Sequence, residues 1–220
     1  MDVKIEISAG DSVSGLLLAP NHPFACFVLA HGAGASMTHP FMTAVAEGLR
    51  DRGMATLRYQ FPYMERGSKR PDRPPIAHAA VRAAVASAAR LTPGLPLIAG
   101  GKSFGARMTS QTQAEAPLHG VAGLAFLGFP LHPAGKPSID RAEHLSRVRV
   151  PMLFLQGTRD ALADAPLLAE VLRTLSARST SHLIADADHS FHVPARSGKT
   201  DAQVLSDALD TIAEWTRGIV

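Results

Sequence analysis

The stretch FACFVLAHG, residues 24–32, constrains the fold more than any other part of this chain. Its apolar residues run together without polar alternation and stop at His-Gly. A strand with one wet face alternates; a strand covered on both faces reads as a continuous apolar run. The same signature recurs in LPLIAGG (95–101), VAGLAFLGF (121–129) and PMLFLQG (151–157). A sheet hidden on both faces needs helices on both faces. Segments with helical spacing of apolar residues lie between these strands: HPFMTAVAEGLRDRG (39–53), the alanine-rich IAHAAVRAAVASAARL (76–91), SFGARMTSQTQAEA (103–116) and APLLAEVLRTLSA (165–177). MATLRYQF (54–61) and TSHLIADADH (180–189) add two strands, and DAQVLSDALDTIAEWTRGIV (201–220) reads as a closing amphipathic helix. At the start, VKIEIS and GLLLAP flank the turn-like AGDSVS, which predicts an antiparallel hairpin. The expected fold is therefore α/β: a doubly wound, mostly parallel sheet with an antiparallel N-terminal hairpin, in a single domain spanning residues 1–220. The proline-rich segment 62–75 is expected to be a loop. The connection 130–150 has room for a short helix but not for a large cap domain. Aromatics make up only 5% of the 220 residues, so Ala, Leu and Val must supply most of the packing.

Sheets of this kind carry their sites at the carboxyl ends of the strands. One such end, AGGKSFGAR, contains two overlapping signals. GKS is the tail of a phosphate-binding P-loop, and GKSFG is G-x-S-x-G, the turn that presents a nucleophilic serine. A P-loop needs a glycine five residues before the glycine of GK[ST], because backbone amides from that loop cradle the phosphates. Here that position is Pro96, which has no N–H to give. SGKT (197–200) fails likewise, with Val193 at the required place and no strand directly before it. The Gly-rich turn GAGASM is a weak dinucleotide signal, since Met37 stands where a small third residue is needed. The serine reading has the strand, turn and helix that a nucleophile elbow requires. It places small residues, Gly101 and Gly105, on either side of Ser103. It also puts Ser103 over a helix N-terminus and turns the Phe104 N–H toward a reacting oxygen. Lys102 is left as only the residue before the nucleophile.

A serine hydroxyl needs a general base, and the base needs a third group to orient it. In this fold class the chain order is Ser, acid, His. Asp160 follows the strand PMLFLQG, with Asp164 as the substitute; His189 follows the next strand, with His192 as the backup. The grouping of Asp186, Asp188, His189 and His192 also leaves open a metal site, although strand alternation sends neighbouring side chains apart. An oxyanion needs a second donor beside Phe104. The loop HGAGASM supplies Ala33 as first choice and Gly34 as alternative, with His31 bracing the loop rather than titrating. Tyr63, Met64 and Arg66, just past another strand end, are candidates for one wall of a substrate site.

HGAG, GKSFG, QGTRD and DHSF together resemble the α/β-hydrolase superfamily, and the resemblance runs along essentially the whole chain. More narrowly, FPYMERGSKRPDRPP, GGKSFGARMTS and ADHSFHVP resemble a small lidless, dienelactone-hydrolase-like branch that includes relatives of a chromatin-complex subunit. The resemblance implies an α/β-hydrolase fold without a cap. It also implies a serine esterase-type activity with a Ser-His-Asp catalytic triad and no cofactor or metal. Dienelactone hydrolases proper use a cysteine nucleophile where this chain has Ser103, so their lactone substrate does not transfer. The glycine usual near such a histidine is absent beside His189.

The expected function is hydrolysis of carboxylic esters or lactones of small soluble substrates, with an acyltransferase or a non-catalytic interaction scaffold as the alternatives. A net charge of +3 with dispersed basic residues does not mark a nucleic-acid binder. The one local excess, Arg66, Lys69, Arg70 and Arg73, is offset by Glu65 and Asp72 and reads as a solvated loop or a rim attracting anions. No apolar run is long enough to span a bilayer, and MDVKIEISAG lacks the pattern of a signal peptide. The expected location is cytoplasmic. Cys26, the only cysteine, is expected to be a buried, inert thiol. Acyl size, leaving group and oligomeric state are not legible.

Overall fold

The computed structural model describes residues 1–220, the side chain of Ser176 aside. Eight strands form one sheet: β1 (Asp2–Ser8), β2 (Asp11–Leu18), β3 (Ala25–Ala30), β4 (Met54–Tyr59), β5 (Leu97–Lys102), β6 (Val121–Leu127), β7 (Met152–Gly157) and β8 (Ser179–Ile184). Their order is β1-β2-β4-β3-β5-β6-β7-β8. β1 and β2 form the expected hairpin and β2 runs antiparallel to β4, while every pairing from β4 through β8 is parallel. The fold is an α/β-hydrolase fold with no large cap.

The continuous apolar runs are the strands buried on both faces: all six residues of β3, β4 and β7 are buried. Helices α3 (Pro74–Leu91), α4 (Phe104–Glu115) and α5 (Ala165–Leu175) cover one face. Helices α1 (Pro40–Asp51) and α6 (Asp201–Arg217) cover the other. On α3 the buried stripe is Ala77, Ala80, Ala84 and Ala88, small residues at helical spacing that let the helix lie close to the sheet. α1 starts at His39, whose Nδ1 accepts the Phe41 N–H at 3.2 Å, with Pro40 at its first position. α6 starts with a capping box between Thr200 and Gln203.

Segment 62–75 is not wholly a loop. Pro62–Glu65 forms a one-turn helix, α2, and α3 begins at Pro74. Both helices start with a proline whose missing N–H costs nothing in a first turn. The connection 130–150 contains a 3-10 segment, Asp140–Arg147.

β5 returns to the other side of β3 from β4, so the order in which strands are added to the sheet reverses there, and β3 and β5 stay parallel. The loops after those two strands therefore lie side by side at the carboxyl edge, where open α/β sheets hold their sites.

Candidate active site

β5 ends at Lys102 and α4 starts at Phe104, which leaves Ser103 alone in the turn. Its backbone is at φ 51°, ψ −111°, a region that costs a non-glycine residue about 1–3 kcal/mol. The flanking glycines show what holds that turn in place. A Cβ on Gly101 would stand 2.0 Å from Ala30 O, and one on Gly105 would stand 2.6–2.7 Å from Ala30 O, Ala30 Cβ and His31 O. The small residues are needed because the elbow is pressed against the end of β3. The Phe104 ring anchors the turn from beneath, edge-on to Phe61 and Tyr63 with centroids at 5.2 and 6.2 Å.

Ser103 Oγ lies 2.9 Å from His189 Nε2, and His189 Nδ1 lies 2.7 Å from Asp160 Oδ2. A carboxylate can only accept, so Nδ1 carries the ring proton of the neutral imidazole. Nε2 then presents a lone pair to the serine hydroxyl. The Asp160 side chain is fully buried and that of His189 is 24% exposed. Asp160 Oδ1 accepts the Leu162 N–H at 2.8 Å, and Oδ2 also accepts from Gln156 Nε2 at 2.5 Å. The Gln156 amide is oriented in turn by the Phe129 N–H, which donates to its Oε1 at 2.9 Å.

A second serine–histidine pair exists and has the opposite polarity. Ser110 Oγ lies 2.7 Å from His144 Nε2 but is also 3.0 Å from Arg107 O. The carbonyl takes the serine's only proton, so His144 is the donor there and no base. Burial, helped by the charges of Arg147 and Arg107, pushes the His144 pKa down to about 4. Ser110 is fully buried and does not line the cleft beside Ser103.

Ala33 and Gly32 line the cleft opposite the elbow. Among the described residues, neither the Ala33 nor the Phe104 N–H has an acceptor. Gly34, at φ +73°, does not line the cleft, and its backbone faces the Tyr63 hydroxyl. His31 is fully buried and braces the loop as expected: its Nδ1–H donates to Gly32 O at 2.8 Å, and its Nε2 accepts the Phe61 N–H at 3.1 Å. Burial pushes its pKa down to about 4, which keeps the accepting nitrogen unprotonated.

The cleft beside Ser103 encloses about 460 Å³. Phe41, Met42 and Leu162 form its apolar walls, with Ala33 and Ala35 opposite. Tyr63, Met64 and Arg66 are not part of it. Tyr63 is 1% exposed and packed under the elbow; Met64 leans on the core; Arg66 points outward and pairs with Asp72 at 2.5 Å. The one-turn helix α2 directs the aromatic ring into the core and the charge into water.

The substitute residues are committed elsewhere. Asp164 caps α5 by accepting the Leu167 N–H at 3.2 Å. His192 pairs with Asp201 at 2.8 Å, a contact that raises its pKa. Asp188 Oδ1 accepts the N–H groups of Ser190 and His192. Among the described residues, no three His, Cys, Asp or Glu side chains are grouped around a point where a metal ion could sit. Cys26 is buried, and its thiol is pushed up to about 11. No helix among the described residues is long and apolar enough to cross a membrane.

Sequence reasoning did not identify Gln156. The available signal was a lone polar residue near the end of an apolar strand, four positions before the acid. It also assigned nothing to Lys102, whose Nζ donates to His189 O.

Residues 23–217 match the family described as alpha/beta hydrolase domain. Among solved structures, the chain is similar to a dienelactone hydrolase from Anabaena variabilis, at 22% identity and TM-score 0.79, with 100% of this chain and 97% of that one covered. It is similar to an α/β serine hydrolase without lid from Xanthomonas campestris, at 21% identity and TM-score 0.74, covering 98% and 94%. It is also similar to the esterase domain of a Rhodothermus marinus protein, at 17% identity and TM-score 0.75, covering 99% and 97%.

Proposed function

Because the chain belongs to the alpha/beta hydrolase family, we propose that it is a serine hydrolase cleaving carboxylic ester or lactone bonds of small substrates, with Ser103, His189 and Asp160 as its catalytic residues. The observation that carries this reading is the ordered relay at the cleft, 2.9 Å from serine to imidazole and 2.7 Å from imidazole to carboxylate. In the first half-reaction Ser103 Oγ attacks the acyl carbon while its proton passes to His189 Nε2. The carbonyl electron pair moves onto oxygen, which accepts hydrogen bonds from the N–H groups of Phe104 and Ala33, neither of which has another acceptor among the described residues. Asp160 stays ionised and stabilises the imidazolium. The tetrahedral intermediate collapses, the C–O bond breaks, and the imidazolium returns its proton to the leaving alcohol. Water then attacks the acyl-Ser103 ester, giving its proton to His189; the intermediate collapses, the bond from the acyl carbon to Ser103 Oγ breaks, the imidazolium returns its proton to Oγ, and the acid leaves.

Proton transfer of this kind contributes about 10²–10⁴-fold, and each oxyanion donor about 10²–10³-fold. The modest volume and apolar walls of the cleft favour short acyl groups. A fluorophosphonate probe and a series of p-nitrophenyl esters of increasing acyl length test the reading. The wild type is expected to be labelled at Ser103 and to turn over the short esters fastest. Ser103→Ala should lose labelling and several orders of magnitude in kcat. A folded wild type that neither labels nor hydrolyses any ester refutes the proposal.

A further inference from the structure

Lys102 immediately precedes the nucleophile, yet takes no part in the proton transfers above. Its Nζ donates to the main-chain carbonyl of His189, and among the described residues no other donor reaches that oxygen. The ammonium stands over two aromatic rings, 5.0 Å from the Phe191 centroid and 5.8 Å from that of Phe41. Those rings meet edge to face at 6.0 Å. Opposite lies Gly128, at φ +72°, where a Cβ would come within 2.8 Å of Nζ. Phe191 is 2% exposed and itself adopts φ 66°, so the loop that places it is held against a local preference. The far end of that loop is tied by Asp188, whose carboxylate takes the N–H groups of Ser190 and His192. The near end, at His189, is tied by Lys102.

We propose that Lys102 is a positioning residue. By gripping the His189 carbonyl inside a cage of Phe41, Phe191 and Gly128, it sets where the imidazole stands between Ser103 and Asp160. The proposal rests on the hydrolase reading for its catalytic consequence, though not for its geometric one.

The grip depends on charge. An ammonium makes a stronger bond to a carbonyl than a neutral amine does, and only the cation is attracted to the ring faces. The groups facing Lys102 are Asp160 from the loop after β7, Asp188 and His189 from the loop before α6, and His39 across the same cleft. The two carboxylates favour the ammonium. Burial opposes it and prevails, lowering the Lys102 pKa to about 8. Activity should therefore decline as the pH rises through about 8, when the amine loses its proton and the His189 loop is released.

The test uses Lys102→Met, and Lys102→Cys alkylated with 2-bromoethylamine to rebuild a lysine-like side chain whose ammonium is more acidic. Cys26 should be spared, because it is buried with a thiol pushed up to about 11. Kinetics on neutral and anionic p-nitrophenyl esters are paired with the downfield proton resonance of the His189 Nδ1–H. Lys102→Met is expected to lower kcat on the neutral ester by on the order of 10²-fold with little change in KM, to lose the alkaline limb, and to broaden or shift the Nδ1–H signal. The alkylated cysteine variant should recover kcat, with its alkaline limb moved to lower pH. The proposal is overturned if Lys102→Met keeps both the wild-type kcat and the wild-type proton signal. It is also overturned if the loss is confined to KM for anionic esters, which would make Lys102 a substrate-binding cation. A wild type that is itself inactive sinks the hydrolase reading instead, and the proton signal still reports whether Lys102 holds His189.

Discussion

Replacing Gln156 asks how firmly the acid of the relay must be held. Gln156 is 1% exposed and makes two directed bonds, from Nε2 to Asp160 Oδ2 at 2.5 Å and from the Phe129 N–H to Oε1 at 2.9 Å. Leucine removes both. Losing a hydrogen bond to a charged group costs about 1.5–3 kcal/mol, and a buried N–H left unpaired about 1–3 kcal/mol, so Gln156→Leu should lose about 2.5–6 kcal/mol of stability. Asp160 keeps the Leu162 N–H and His189, so catalysis should fall less completely, by on the order of 10²-fold if the carboxylate moves by about 1 Å. Gln156→Glu separates shape from charge. The introduced carboxyl cannot ionise comfortably beside Asp160, so it keeps its proton, donates to Oδ2 and still accepts the Phe129 N–H. Its folded pKa then lies above the ordinary value of about 4.3, and the native state binds more protons than the unfolded one. Stability is fully present below that ordinary value and is lost as the pH rises through the raised one, by about 1.4 kcal/mol for each pH unit that separates the two. Urea midpoints and kcat/KM on a short p-nitrophenyl ester, followed from about pH 5 to pH 8, read both effects. A Gln156→Leu protein as stable and as active as the wild type refutes the reasoning, as does a Gln156→Glu protein whose pH profile matches the parent.

Three further outcomes follow from the same geometry. His31 and His144 are buried with pKa values lowered to about 4, so between about pH 6.5 and 4 the unfolded chain takes up protons that the native state refuses. Their contribution, about 3 kcal/mol each, is present above pH 6.5 and is lost as the pH falls toward 4; a urea midpoint that stays flat from about pH 7 to 4.5 contradicts it. Gly105→Ala places a Cβ 2.6–2.7 Å from atoms of Ala30 and His31 that cannot rotate away. It should cost about 1–3 kcal/mol, lowering Tm by about 2–4 °C for each. It should also slow probe labelling of Ser103, and an unchanged Tm would mean the elbow is not pressed against β3. The Cys26 thiol, with its pKa pushed up to about 11, should react with a disulfide reagent only after denaturation, which a timed assay with and without urea decides.

The sheet was legible because burial on both faces leaves a direct mark in the sequence, a run of apolar residues with no alternation. The elbow was legible because Gly101, Ser103 and Gly105 sit between a strand and a helix, and the acid and the histidine each follow a strand. Contacts that depend on where separate strands end are not written locally. Lys102 and His189 are 87 positions apart. Among the described residues two serine–histidine pairs exist, and only the acceptor at the other ring nitrogen or hydroxyl tells base from donor. The misplacement of Tyr63, Met64 and Arg66 has the same origin. They follow β4, and a residue past a strand end faces the site only if its loop turns toward the nucleophile. The order runs β4-β3-β5, so β3 stands between them and the elbow. The loop after β3 takes the cleft wall, and the loop after β4 is left to pack beneath. The strand order is decided by which edge each helical crossover returns to. That is a choice of handedness and packing made by whole β-α-β units. Local apolar patterning can say that a strand carries a site residue, but not beside which strand it will lie.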